Sequence, residues 1–226
     1  MRPVVVLRPE PGASETIERA REQGLEAISI PLFEIEQVEW EPPDPTAFDA
    51  LLLTSANAIR HSGGRLKALR ALPVHAVGAA TAKAASDAGF TIASSGSAGV
   101  DELLDGLDPG IRLLHLSGED RRTRINARQA IEAIPVYRSR AIDPPPALDR
   151  ATSSVVLVHS PRAGERFAGI IDRSGVSRRS VSIAAISSAV SEAVGSGWET
   201  VVIADGPSDE ALLALAARLC NKPLPE

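Results

Sequence analysis

The chain reads as an α/β protein of two similar lobes with parallel sheets. Three observations carry that reading: apolar strand-like runs alternate with helical segments, the alternation occurs twice, and both copies place a hydroxyl residue at the same turn. Residues 49–61 read DALLLTSANAIRH and residues 154–167 read SVVLVHSPRAGERF, so Ser55 and Ser160 each end an apolar run where a helix begins. HAVGAATAKAASDAGF at 75–90 is echoed by IAAISSAVSEAVGSGW at 183–198, and Asp101–Leu104 by Asp209–Leu213. The copies lie about 105 residues apart, too far for a solenoid repeat.

The elements follow in order. Val4–Arg8 is a continuous apolar run closed by Pro9, 13–23 has helical spacing with Gly24 as its stop, and Leu25–Ile30 is again strand-like, which makes a βαβ opening. Further apolar runs at 50–54, 74–77, 111–116, 155–159, 181–186 and 200–204 each precede a helix-like segment, and 90–93 resembles them. Runs apolar on both faces belong to parallel sheets covered on both sides, where ligands gather at the carboxyl ends of the strands.

Two proline clusters, Glu41–Pro45 and Asp143–Pro146, each follow an extended stretch, 32–40 and 135–142. Read as borders of three successive domains, they would leave the first with about 30 residues, too few for a core of its own. The expected division is therefore a discontinuous domain 1 at 1–33 and 143–226, with domain 2 inserted at 41–135. Segments 34–40 and 136–142 are then connector strands able to pair as a two-stranded β connector.

The net charge of −5 and an aromatic content of 3% argue against a nucleic-acid surface, which needs a basic field and stacking rings. No apolar run reaches the roughly 20 residues of a membrane span, and the N-terminus shows no signal-peptide pattern, so a cytoplasmic protein is expected. The single Cys220 lies in an apolar helical pattern and reads as a buried helix residue. From Arg112 to Ile142, seven arginines stand against three acids; the stretch reads either as a solvated helix or as local charge facing a polyanionic small molecule. His61, His75, His115 and His159 show no metal-ligand spacing, so no metal is expected. No dinucleotide or phosphate loop follows the first strand, and neither Ser55 nor Ser160 sits in a nucleophile elbow.

Taken together, VVVLRPEPGASETIERAREQGLEAISIPLFEIE, LLLTSANAIR, VHAVGAATAKAASDAGF, LHLSGEDRR, PVYRSRA and VLVHSPRAGERF, in this order and with the last Asp-Glu helix, resemble the uroporphyrinogen-III synthase family. The resemblance implies two flavodoxin-like or Rossmann-like lobes joined by a β-ladder, a cleft between them, and neither cofactor nor metal. The implied reaction closes linear hydroxymethylbilane with inversion of its last ring and loss of water. An azafulvene-type cation forms first, then a spiro intermediate that fragments and recloses.

The implied substrate carries many carboxylates, which suits strand-to-helix turns with free amides and a favourable dipole. The candidate substrate-binding residues are Arg8, Ser55, Ala56, Gly78, Thr81, Ser117, Ser160, Arg162, Ser187 and Ser188, although ordinary N-capping explains any one hydroxyl equally well. Val190 stands where the first copy has Thr81, which leaves Ser188 or Ser191 to supply that hydroxyl. Tyr137, the only tyrosine, matches the family's V-Y context and is the candidate catalytic residue: a phenol of pKa about 10 stays protonated and can donate to a leaving hydroxyl. The expected partner is the small-molecule substrate alone, bound by a monomer, with transient contact with the preceding pathway enzyme. The competing reading is a non-catalytic two-lobed cytosolic module that binds a small anionic metabolite.

Overall fold

The computed structural model describes residues 2–96, 99–120, 127–143, 145 and 147–221. In chain order its elements are β1 (Val4–Val6), α1 (Gly12–Glu22), β2 (Ala27–Ser29), β3 (Phe33–Gln37), β4 (Ala50–Leu53), α2 (Ala56–His61), β5 (Val74–Val77), α3 (Ala79–Asp87), β6 (Ile92–Gly96), α4 (Val100–Asp105), β7 (Arg112–Gly118), β8 (Ala130–Ala141), β9 (Val155–Val158), α5 (Pro161–Ser174), β10 (Ser182–Ala185), α6 (Ser188–Val194), β11 (Thr200–Ile203) and α7 (Asp209–Cys220). They form two compact units, Met1–Glu34 with Ala141–Glu226, and Ile35–Arg140.

Unit 1 is a five-stranded sheet in the order β11-β10-β9-β1-β2, parallel at every pairing. Its central strands are apolar on both faces because both faces are covered. Val5, Val156, Val158 and Ile183 pack with Phe167, Ile171 and Val190 on one side. Val4, Val6, Val155 and Leu157 pack with Ala13, Ala20, Leu212 and Leu215 on the other. Helix α1 turns Ala13, Thr16 and Ala20 inward at helical spacing. Helix α5 stops at Gly175, whose φ of 79° provides the left-handed cap. The Ile142 amide donates to Leu32 O at 3.0 Å, so the chain leaves and rejoins unit 1 at one point.

Unit 2 holds the six-stranded sheet β3-β8-β7-β4-β5-β6, with β3 at its edge. Leu51, Leu53, Val74, Leu114 and Leu116 form its larger core with Leu66, Leu69 and Phe90, and Ala50, Leu52 and Leu113 pack with Leu103 and Leu104 on the other face. Strands β8-β7-β4-β5-β6 are parallel and match β2-β1-β9-β10-β11 position for position. Each unit thus has its own sheet of the same five-strand arrangement, entered at a different strand. Unit 1 begins with its β-α-β arm, whereas unit 2 ends with the equivalent strands β7 and β8. Read in chain order, unit 1 has the flavodoxin-like sequence 2-1-3-4-5 and the five matching strands of unit 2 the Rossmann-type 3-2-1-4-5.

Two expectations change. The run at 90–93 becomes β6 at Ile92–Gly96, and the run at 111–116 extends to Gly118 without a following helix among the described residues. Among the described residues, the arginine-rich stretch contributes β7 and β8 and no helix. Four of its arginines are paired with carboxylates: Arg112 with Asp49, Arg128 with Asp105, and Arg138 and Arg140 with Glu36. Arg121, Arg122 and Arg124 lie outside the described residues. Cys220 is buried at the end of α7.

Candidate functional site

The shared topology puts equivalent residues at the carboxyl ends of each sheet. In unit 1, Val6 of β1 is level with Leu157 of β9, and two residues further on, on the same sheet face, stand Arg8 and His159. In unit 2, His115 of β7 is level with Leu52 of β4, and two residues further on stand Ser117 and Thr54. These are the strand ends where an open parallel sheet presents its ligand site.

The unit 1 corner is charged. Asp209, the first residue of α7, accepts hydrogen bonds from Thr16 Oγ1 at 3.0 Å, from His159 Nε2 at 2.8 Å and from Arg19. Arg8 Nη1 lies 3.5 Å from the same carboxylate and donates to Thr16 Oγ1 at 3.2 Å, so the buried hydroxyl accepts from one side and donates to the other. Burial alone would push the Asp209 pKa up; the hydrogen bonds from His159 and Thr16 and the charges of His159 and Arg8 outweigh it and hold the carboxyl at about 2. His159 Nδ1 is buried and has no hydrogen-bond partner among the described residues.

Among the described residues, the unit 2 sheet face at these strand ends carries hydroxyls and imidazoles rather than an ion-paired cluster. Thr54 Oγ1 lies 3.1 Å from His115 Nε2, and His75 Nδ1 lies 2.7 Å from Ser94 Oγ on the same face. Burial lowers the His75 pKa, which favours the neutral ring. Ser117 Oγ is buried without a partner among the described residues. Beside it, past a shift in the ladder register, Gly118 pairs with Tyr137, and a Cβ on Gly118 would stand 2.9 Å from Cε2 and 3.2 Å from the hydroxyl of that tyrosine. Only glycine lets the ring lie there. The His61 ring sits 6.3 Å from the Tyr137 ring, and burial, then the charge of Arg60, lowers the His61 pKa. Among the described residues the Tyr137 hydroxyl has no hydrogen-bond partner.

The remaining candidates fall at turns whose local chemistry is visible. Ser55 Oγ accepts from the Asn57 amide and Ser160 Oγ from the Ala163 amide, each at 3.2 Å, so both cap their helices with Ala56 and Pro161 as first residues. A capping serine spends an acceptor lone pair and keeps its O–H for an incoming carboxylate. Gly78 caps α3 with φ of 85°, which a side chain would strain, and Ser187 is the corresponding cap of α6, without a side-chain bond. The Thr81 amide bonds to Gly78 O and the Val190 amide to Ser187 O, both at 3.1 Å, so these two residues occupy the same place in the two units. Both are buried, and Val190 belongs to the core; Ser188 is exposed. Arg162 stacks over Phe33 with 4.6 Å to the ring centroid, a contact that offsets its position in the first turn of α5.

Asp209, Thr16 and Arg19 were not among the residues the sequence singled out for binding. The only signal was the Asp-Glu echo at the start of the last helix, because the cluster draws on positions 8, 16, 19, 159 and 209. Among the described residues no group of three or more His, Cys, Asp or Glu could hold a metal, and no helix is long and apolar enough to cross a membrane.

Fold and topology define a duplicated, doubly wound α/β protein with polar side chains at the strand ends of both sheets. The family model described as uroporphyrinogen-III synthase HemD matches residues 14–214. The chain belongs to the uroporphyrinogen-III synthase family. Its structure is similar to uroporphyrinogen-III synthetase from Helicobacter pylori 26695, at 20% identity and TM-score 0.65 over 97% of this chain and 100% of that one. It is also similar to a mutant uroporphyrinogen III synthase from the extremely thermophilic bacterium Thermus thermophilus, at 19% identity and TM-score 0.55 over 97% of this chain and 100% of that one. No curated protein sequence matches the chain.

Proposed function

We propose that this chain converts hydroxymethylbilane to uroporphyrinogen III in tetrapyrrole biosynthesis, as a cyclising hydro-lyase that inverts the last ring and releases water. The observation that carries the reading is the family match across residues 14–214. Turns in both units hold the substrate carboxylates: Arg8, Ser160, Arg162, Ser187 and Ser188 from unit 1, and Ser55, Ala56, Gly78, Thr81 and Ser117 from unit 2. Many donors, each worth about 0.3–1 kcal/mol when exposed, together fix a flexible polyanion in one geometry.

Tyr137 gives its phenolic proton to the departing hydroxyl, so that water leaves and the azafulvene-type cation remains. Attack by the substituted carbon of the last ring, fragmentation and reclosure follow, and the proton released at the end restores the phenol. Its placement supports this role, with a hydroxyl unpartnered among the described residues, at the carboxyl end of a sheet, on a seat kept open by Gly118. The same reading makes the protein a cytoplasmic monomer that meets the preceding pathway enzyme only transiently.

The test is to supply purified protein with hydroxymethylbilane made in situ by that preceding enzyme and to separate the product isomers. Type III product is expected to replace the spontaneous type I isomer. Dominant type I product would return the chain to the class of non-catalytic anion-binding modules.

A further inference from the structure

We propose that Gly12, Thr16 and Asp209 form a seat that aims Arg8 at one substrate carboxylate, which makes Asp209 and Thr16 positioning residues for binding. The inference rests on the reading that the chain binds hydroxymethylbilane. Arg8 follows β1 at the carboxyl end of the unit 1 sheet, and its side chain is 33% exposed, so it is held without being closed off. All its described contacts fall on one nitrogen. Nη1 donates to Thr16 Oγ1 at 3.2 Å and lies 3.5 Å from Asp209 Oδ1.

Among the described residues, Nε and Nη2 have no partner, and these two form the edge that receives a carboxylate in a bidentate pair. Asp209 cannot itself turn to fill that edge. Its oxygens are already occupied by Thr16, His159 and Arg19, and Thr16 is fully buried, so the guanidinium is fixed from below by a group with no freedom to move.

Gly12 supplies the clearance. A Cβ at this first position of α1 would lie 2.5 Å from Arg8 Nε and 2.7 Å from Nη2, which is the space beside the open edge. The amides of this turn offer less: Ala13 donates to Pro9 O, Ser14 to Glu10 Oε2 and Glu15 to Pro11 O. At this corner the side chain of Arg8, rather than the helix end, is the anion-binding element.

Gly12→Ala separates this role from a structural one, because alanine is the better helix former and should hold or raise the thermal midpoint. The expected result is a KM for hydroxymethylbilane raised about tenfold with kcat within about twofold of wild type, the signature of lost uniform binding. Arg8→Ala should raise KM at least as far, and Gly12→Ala added to Arg8→Ala should change nothing more. Thr16→Val should raise KM in the same direction. A wild-type KM for Gly12→Ala, or an additive effect in the Arg8→Ala background, overturns the seat while type III product leaves the enzymatic reading standing. Type I product from the wild-type chain overturns both.

Discussion

The two units have the same sheet and opposite kinds of corner. Where unit 1 places Arg8 and His159, beside Asp209, unit 2 places Ser117 and Thr54, with His115 and Tyr137 alongside. In unit 1 the charges hold one another, and the exposed product of that arrangement is a single guanidinium edge. In unit 2, among the described residues, hydroxyls, imidazoles and one phenol stand at the strand ends. A fold repeated in one chain therefore does not repeat its chemistry. Under the proposed function, unit 1 grips an anion and unit 2 gives up a proton.

The largest effect should come from the phenol. Tyr137→Phe is expected to lower kcat by about 10²–10⁴-fold, the usual worth of general acid help, with the fold kept, as read by circular dichroism and single-turnover assay. Unaltered turnover would leave the two corners with equal standing. Gly118→Ala comes next: its new methyl must displace the Tyr137 ring, and a drop of about tenfold or more in kcat is expected from a misplaced catalytic group.

The charged corner should reveal itself in acid. Asp209 has its folded pKa depressed to about 2 from 3.8, so its contribution to stability is fully present above 3.8 and is lost as pH falls from there towards about 2. After allowance for water at the rim of the cluster, about 1–2 kcal/mol is at stake. Asp209→Asn should lose it at neutral pH and flatten the stability curve across that window. Asp49 in unit 2 is held at about 2 by the Arg112 side chain and amide, yet it is exposed, and Asp49→Asn should flatten the curve less. Denaturant titrations of both variants from pH 6 down to about pH 2 make the comparison.

The smallest effect belongs to Ser117. Its buried hydroxyl is unpartnered among the described residues, so Ser117→Ala should cost less than about 0.5 kcal/mol or stabilise. A loss larger than that in chemical denaturation would mean that a water or a residue pairs with it.

Much of this was legible in the sequence because it is local. Val4–Val6, Ala50–Leu53 and Val155–Val158 are apolar on both faces, and Ser55 and Ser160 announce the helices they cap. Each signal lies within a few residues of its consequence. The permuted strand order was hidden, since apolar runs show that a sheet exists and carry no information on which neighbour each strand takes. The Asp209 cluster was hidden for a similar reason: His159 was weighed only against metal spacing, and its partner lies 50 residues away. Arg138 and Arg140 lie in a stretch that read either as a solvated helix or as charge facing a small molecule, and the fold sets Glu36 beside them. Val190, whose missing hydroxyl stood out against Thr81, is a core residue whose place calls for a methyl.

The hydrogen bond from Ile142 to Leu32 has a practical consequence for protein engineering. Because both ends of the interruption meet there, the intervening hundred or so residues could be excised and replaced by a tight turn at little entropic penalty, since closing a short loop costs far less than ordering a long one. The miniature left behind would retain its five strands, and it would be the natural scaffold on which to graft a different insert.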